Sequence, residues 1–448
     1  MKIRKLLSVG LVSSMVASMA LTGCGDNKND SGKEESKGSV YYLNFKPEAD
    51  KAWQAIATEY KNETGVDVKV VTAANNKYEE TLTAEIDGDT PPTLFQINGP
   101  IGYENWKEYC YDLKDTDLYS WLSDKSLAIT GSDGGVYGIP YVVEGYGIIY
   151  NNAIMTKYFA LDGAKAKSMD EVNNFAKLKE VVEDMQARKS ELGIEGVFGS
   201  TSLKAGEDWR WQTHLANLPI YYEYKDNNSS CMKEIKFTYA DNYKNVLDLY
   251  LNNSCTEPSL VGSKTVADSM AEFALGQIAM IQNGNWGWTQ INETKGNTVK
   301  AEDVKFLPIY TGVEGEENQG LCTGTENFFC INKEADEADI KATIDFVQWV
   351  FSSEKGKKAV TNDLGFIAPF TTFTADEAPQ DPLAKEVVRY LNDSTKTSVS
   401  WNFSTFPSQT FKDDFGAILL QYAIGSKTWD DVKKLVVDEW ASEWKNNN

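Results

Sequence analysis

The chain has 448 residues, 42% of them hydrophobic and 25% charged, which is enough length and apolar content for two or three domains with sizeable cores. Lys and Arg total 44 against 66 Asp and Glu, and the resulting net charge of -22 repels phosphate backbones and anionic membrane surfaces. Nucleic acid is therefore excluded as an expected partner, and neutral or weakly charged ligands are favoured.

In chain order, Lys2, Arg4 and Lys5 precede the apolar run LLSVGLVSSMVASMA, and small residues lead to LTGC at 21–24. A basic start, a short apolar stretch and a small-residue cleavage site predict a secretion signal over residues 1–23, not a membrane span. LTGC also resembles the bacterial lipoprotein box, in which the cysteine is acylated and becomes the new N-terminus. That resemblance implies a lipid on Cys24; simple cleavage nearby is the alternative. The stretch GDNKNDSGKEESKGS (25–39) has no large apolar side chain. With Cys24 it forms the tether 24–39, with a reach of roughly 20 Å as a flexible coil. The expected location is the extracellular face of a Gram-positive cytoplasmic membrane, with the membrane contacted by the lipid anchor only.

VYYLNF (40–45) reads as a buried strand. The following helix places Ala49, Trp53, Ile56, Ala57 and Tyr60 on one face, and Gly65 stands where it should stop. VDVKVVT is a second strand, NKYEETLTAEI a second helix, and TLFQI (93–97) a third strand leading into the loop NGP. This alternation predicts an α/β domain with a parallel sheet, whose ligands gather beyond the carboxyl ends of the strands, here residues 44–47 and 98–100. No G-x-G-x-x-G follows the first strand and no P-loop occurs, so no nucleotide cofactor is implied. Further helices are expected around 170–190, 240–252 and 336–360, with a strand at 304–310. The last helix, TWDDVKKLVVDEWASEWK, is capped by Thr428 with Asp431, and Val432, Leu435, Val436, Trp440 and Trp444 fall at core spacing.

Besides Cys24 there are Cys110, Cys231, Cys255, Cys322 and Cys330. No C-x-x-C occurs and the chain has one histidine, so no metal site is expected. Bridges between Cys322 and Cys330 or between Cys231 and Cys255, and isolated buried thiols, all stay open.

Four clusters join aromatic rings to amides, carboxylates or a guanidinium: PYVVEGYG (140–147), DWRW (208–211), NGNWGW (283–288) and WNFSTFP (401–407). A pyranose ring needs that mixture, because its C–H face lies on an aromatic plane while its hydroxyls pair with planar polar groups. Core packing explains most single tryptophans equally well. In NGNWGW, however, glycines and asparagines mark a turn after the apolar run IAMI, which puts Trp286 and Trp288 at a strand's end.

The order VYYLNFK … AIATEYKNETGVDVKV, the segment PPTLFQINGP, the crossing GIPYVVEGYGIIYNNAIM and the stretch FALGQIAMIQNGNWGW together resemble the extracellular solute-binding proteins of bacterial carbohydrate ABC importers, of the maltodextrin-binding type. The resemblance covers residues 40–445. It implies a two-lobe periplasmic-binding-protein-like α/β fold with a hinge and a ligand cleft: lobe 1 from 40–145 with 308–362, lobe 2 from 146–307 with 363–448. It implies that Glu144 accepts sugar hydroxyls, that Trp286 stacks on a sugar ring, that Trp209 or Trp211 offers a platform beside Arg210, and that Trp401 supplies a late stacking ring. The Lys46 and Asn98 loops occupy contact positions without reproducing the family's polar residues. The implied function is capture of an oligosaccharide, a short α-glucan such as maltose or maltotriose or an α-galactoside such as raffinose, by a monomer that is not an enzyme and hands it to membrane permease subunits. Two rivals remain. A surface glycoside hydrolase needs two carboxyls about 5–5.5 Å or about 6.5–9.5 Å apart, and no motif marks such a pair. An adhesin would carry repeats, which are absent.

Overall fold

The computed structural model describes residues 37–74 and 77–446. The expected signal, Cys24 and most of the tether lie outside the described residues.

The strands are β1 (Ser39–Asn44), β2 (Asp67–Thr72), β3 (Leu94–Ile97), β4 (Ile129–Thr130), β5 (Val136–Pro140), β6 (Glu144–Asn151), β7 (Gly196–Phe198), β8 (Ile278–Gly284), β9 (Val304–Leu307), β10 (Gln319–Gly324), β11 (Phe328–Ile331) and β12 (Thr397–Ser400). They form two six-stranded sheets. The first runs β2-β1-β3-β11-β5-β4; the second runs β12-β10-β6-β8-β7, with β9 on β6.

The expected parallel unit is present, since β1 pairs in parallel with both β2 and β3. The rest of the first sheet is antiparallel, because β11 arrives from far along the chain and runs against β3 and β5. The sheet is therefore mixed. Periodicity within the first hundred residues carries no information about a strand that joins from position 328.

The helix Asp50–Thr64 buries Trp53, Ile56, Ala57 and Tyr60 and ends at Gly65. Trp53 lies edge-on to Tyr42 of β1 at 5.0 Å, joining helix to sheet. Burying a large side chain of this kind contributes roughly 1.5–3 kcal/mol. The helix Trp429–Asn446 buries Val432, Val436, Trp440 and Trp444, with Leu435 partly buried beside them. Its capping box closes as expected, with Asp431 N donating to Thr428 Oγ1 at 3.2 Å and Thr428 N to Asp431 Oδ2 at 2.8 Å.

β10, inside the 308–362 segment expected in the first lobe, pairs with β6 and β12 in the second sheet. β11, four residues later, belongs to the first. All five described cysteines are free thiols, and Cys322 (β10) and Cys330 (β11) lie on different sheets. Among the described residues no helix is long and apolar enough to cross a membrane.

Candidate functional site

Three loops leaving the first sheet and four segments of the second converge on one region. β1 ends in Asn44, whose Nδ2 donates to Lys46 O at 2.8 Å while its Oδ1 accepts from Lys46 N at 3.1 Å. This ring of bonds turns the chain and aims Lys46 at the start of β6. There Lys46 Nζ lies 2.8 Å from Glu144 Oε1, and Asn327 Nδ2 donates to Glu144 Oε2 at 2.8 Å. Asn327 Oδ1 accepts from Gln96 Nε2 at 3.0 Å, and the same nitrogen reaches Asn98 Oδ1 at 3.3 Å. Lys46, Asn98 and Glu144 thus belong to one polar network, and Asn327 is the link between them.

Lys46 and Glu144 are 5% and 2% exposed, so solvent screening is weak. Burial works against the Lys46 ammonium, and the Glu144 and Glu48 carboxylates outweigh it, leaving Lys46 above the usual lysine range. Burial pushes the Glu144 carboxyl above the usual carboxylate range, against the pull of Lys46. Glu326, next to Asn327, is pushed up to about 7 by burial and by Glu144.

The Lys46 ammonium also lies 5.8 Å from the centre of the Trp286 ring. Trp286 opens an aromatic cluster: Trp209 at 6.0 Å, His214 at 5.4 Å and Trp401 at 6.3 Å, edge-on. His214 stacks on Tyr146 at 4.4 Å, and Phe403 closes the far side against Trp401 at 5.0 Å. Glycines make room for two of the rings. A Cβ on Gly284 would meet the Trp286 ring at 2.2 Å, and one on Gly324 would meet Trp401 Cγ at 2.7 Å. Those backbones therefore serve as flat beds for the indoles.

The segment EDWRWQTH turns on a π-helix, Arg210–Leu215, in which Ala216 N reaches back five residues to Trp211 O at 3.3 Å. This wide helix is rare and recurs at functional sites. Its register aligns residues five apart, and Trp209 meets His214 edge-on at 4.6 Å. Arg210 lays its guanidinium over Trp209, with Cζ 4.1 Å from the ring centre. It is 1% exposed, and none of its three nitrogens has a protein partner. Burial lowers it to about 9, against a weaker opposing pull from the Glu207 and Glu48 carboxylates. Burial, and then Arg210, hold His214 well below the usual histidine range, so the ring is neutral.

The two other expected tryptophans point elsewhere. Trp211 is buried in the core of the second sheet, its Nε1 donating to Ser202 O at 3.2 Å and its ring 5.6 Å from Tyr250. Trp288 starts the next helix and packs against a separate core that contains Val266, Phe273 and Leu383. The cluster members that sequence reasoning did not single out are Asn327, His214, Tyr146 and Phe403. Tyr146 and Phe403 stood inside two of the aromatic clusters and His214 three residues beyond a third, whereas Asn327 lies in a stretch with no signature. Among the described residues no group of three or more His, Cys, Asp or Glu is placed to hold a metal.

Two curated proteins of Bacillus subtilis (strain 168) are similar to parts of this chain. A galactooligosaccharide-binding protein is 28% identical over 159 residues, 35% of this chain and 38% of its own length. The maltodextrin-binding protein MdxE is 25% identical over 148 residues, 32% of this chain and 34% of its own length. The matched part therefore spans little more than a third of either relative. Solved structures match over far more. A solute-binding protein RafE in complex with raffinose gives a TM-score of 0.69 at 18% identity, covering 91% of this chain and 99% of that one. The GacH receptor of Streptomyces glaucescens, solved unliganded and with acarbose, gives 0.67 at 17% identity, covering 92% and 100%. These likenesses establish the fold, two α/β lobes. Residues 55–386 match the family described as bacterial extracellular solute-binding protein, and this chain belongs to that family.

Proposed function

We propose that this protein binds an oligosaccharide between its lobes and delivers it to the permease of an ABC importer. One observation carries the reading. Trp209, Trp286 and Trp401 come from three distant segments into one cluster, and beside them the nitrogens of Arg210 and the indole N–H groups of Trp286 and Trp401 lack protein partners. Stacking faces next to unsatisfied donors suit a polyhydroxylated ring. Lys46, after β1, and Glu144, on β6, form an ion pair from one sheet to the other, so closure and ligand capture are coupled through it. Both Glu144 oxygens are held, by Lys46 and Asn327, which suits a fixed contact better than a proton donor. Family membership supports binding over catalysis.

The preferred ligand is a short α-glucan such as maltose or maltotriose. The galactooligosaccharide-binding relative and the raffinose-bound neighbour favour an α-galactoside as the second reading. The proposed lobes are 40–145 with 308–362 and 146–307 with 363–448, and because β10 lies in the second sheet and β11 in the first, the middle crossing is proposed at 325–327, later than 308. The proposal includes a lipid anchor at Cys24 and a monomeric state. A thermal-shift panel of α-glucans, α-galactosides and other oligosaccharides tests it. A ligand at 100 times its Kd adds about 2.7 kcal/mol of stability; a panel without a single shift would overturn the reading.

A further inference from the structure

Three residues with unpaired buried polar atoms line one small chamber next to the π-helix. Arg210, Tyr250 and Gln282 all line it, and the Arg210 guanidinium nitrogens, the Tyr250 hydroxyl and Gln282 Oε1 are buried without a protein partner. The chamber has a volume of about 10 Å³ and no carboxylate lines it. Tyr250 is 1% exposed and Gln282 2%, so none of the three reaches bulk solvent.

The chemistry of the three atoms is complementary. Gln282 Nε2 donates to Arg210 O at 2.9 Å, which fixes the amide and leaves Oε1 as an acceptor without a protein partner. Arg210 can only donate, and the Tyr250 hydroxyl can do either. A buried water makes about three hydrogen bonds and needs roughly 10–15 Å³. One water accepting from Arg210, bonding the Tyr250 hydroxyl and donating to Gln282 Oε1 gives each of the three side chains one partner.

We propose that Tyr250 and Gln282 are positioning residues for Arg210, acting through one water held in this chamber. The water braces the guanidinium over Trp209, so that its other N–H groups meet the ligand already oriented. Gln282 also ties the first residue of the π-helix to β8, placing helix and guanidinium on one support. The proposal rests on the reading of Arg210 as a sugar contact.

The test is a double-mutant cycle titrated with maltotriose and, in parallel, raffinose: wild type, Arg210→Met, Tyr250→Phe and both together, with apo melting curves for each. Arg210→Gln replaces Arg210→Met if the latter does not fold. Arg210→Met should weaken binding at least tenfold. Tyr250→Phe should weaken it about fivefold in the wild-type background, the effect of one lost hydrogen bond, and less than twofold once Arg210 is gone. A packing role for Tyr250 would lower the melting temperature equally in both backgrounds. Loss of affinity in Arg210→Met with none in Tyr250→Phe, or an equal Tyr250→Phe loss in both backgrounds, overturns the inference alone. Unchanged affinity in Arg210→Met overturns the sugar-contact reading together with it. An experimental structure of the free protein gives a readout independent of any ligand: an ordered water within bonding distance of Tyr250 OH and Gln282 Oε1 is expected, and a collapsed chamber contradicts it.

Discussion

Arg210→Met should make the free protein more stable and the binding protein worse. The folded chain lowers Arg210 from the usual arginine range to about 9 because its charge is buried and Glu207 and Glu48 offset that burial only in part. For a base with a depressed value, the associated stability is present above the unfolded arginine value and is lost as pH falls through about 9. At pH 7 the full cost is therefore borne. A tenfold shift in an equilibrium is about 1.4 kcal/mol, so the drop sets an upper bound of roughly 5 kcal/mol. Methionine keeps the length and the contact with Trp209 but forfeits a cation–π attraction of about 0.5–2 kcal/mol. The net expectation is a gain of roughly 2–4 kcal/mol at pH 7. Differential scanning calorimetry of the apo variant between pH 6 and 10 reads it directly. The melting temperature should lie above wild type at neutral pH, and the gap should close as pH rises past 9. A variant less stable than wild type at pH 7, or a gap that ignores pH, would refute the claim that the guanidinium is unpaired in the free protein.

The tryptophans should separate into two classes. Trp286→Ala or Trp209→Ala removes about 100 Å² of stacking surface, roughly 2.5 kcal/mol or on the order of seventyfold in Kd by calorimetry. Trp211→Ala should instead destabilise the apo protein by about 3–5 kcal/mol of lost core packing, seen as a lower melting temperature, while Kd changes far less. Glu144→Gln should weaken sugar binding by roughly 1.5–3 kcal/mol. Its apo melting temperature should fall as well, because the buried Lys46 ammonium keeps only Glu48, at 3.7 Å, as a carboxylate partner. Maleimide labelling of the folded chain, in a variant starting after Cys24, should modify Cys231 rapidly. Cys255, half-buried and pushed up to about 11 by burial, should lag, and buried Cys110, Cys322 and Cys330 should react only on unfolding.

What the sequence made legible follows from the range of the forces involved. The first three strands, the helix Asp50–Thr64 and the capped last helix depend on local periodicity and capping, and they stand where expected. Trp286 was legible because NGNWGW encodes its own turn, with Gly284 bedding the indole. Trp209 and Trp211 could not be told apart, since two residues along an extended chain share a face. The π-helix instead sends Trp209 to the cluster with His214 and Trp211 into the core. Asn327 had no signal because its role exists only once β10 and β11 have joined different sheets. The Lys46 loop carried only its place at a strand's end; its partner stands 98 positions away.

The most direct measurement is a crystal structure of the mature protein with whichever sugar raises its melting temperature most. The account predicts a sugar ring within stacking distance of Trp286 and at least one of Trp209 and Trp401, with Arg210 and Glu144 bonded to its hydroxyls. A sugar seated elsewhere, with these rings still packed on one another as in the free chain, would contradict it.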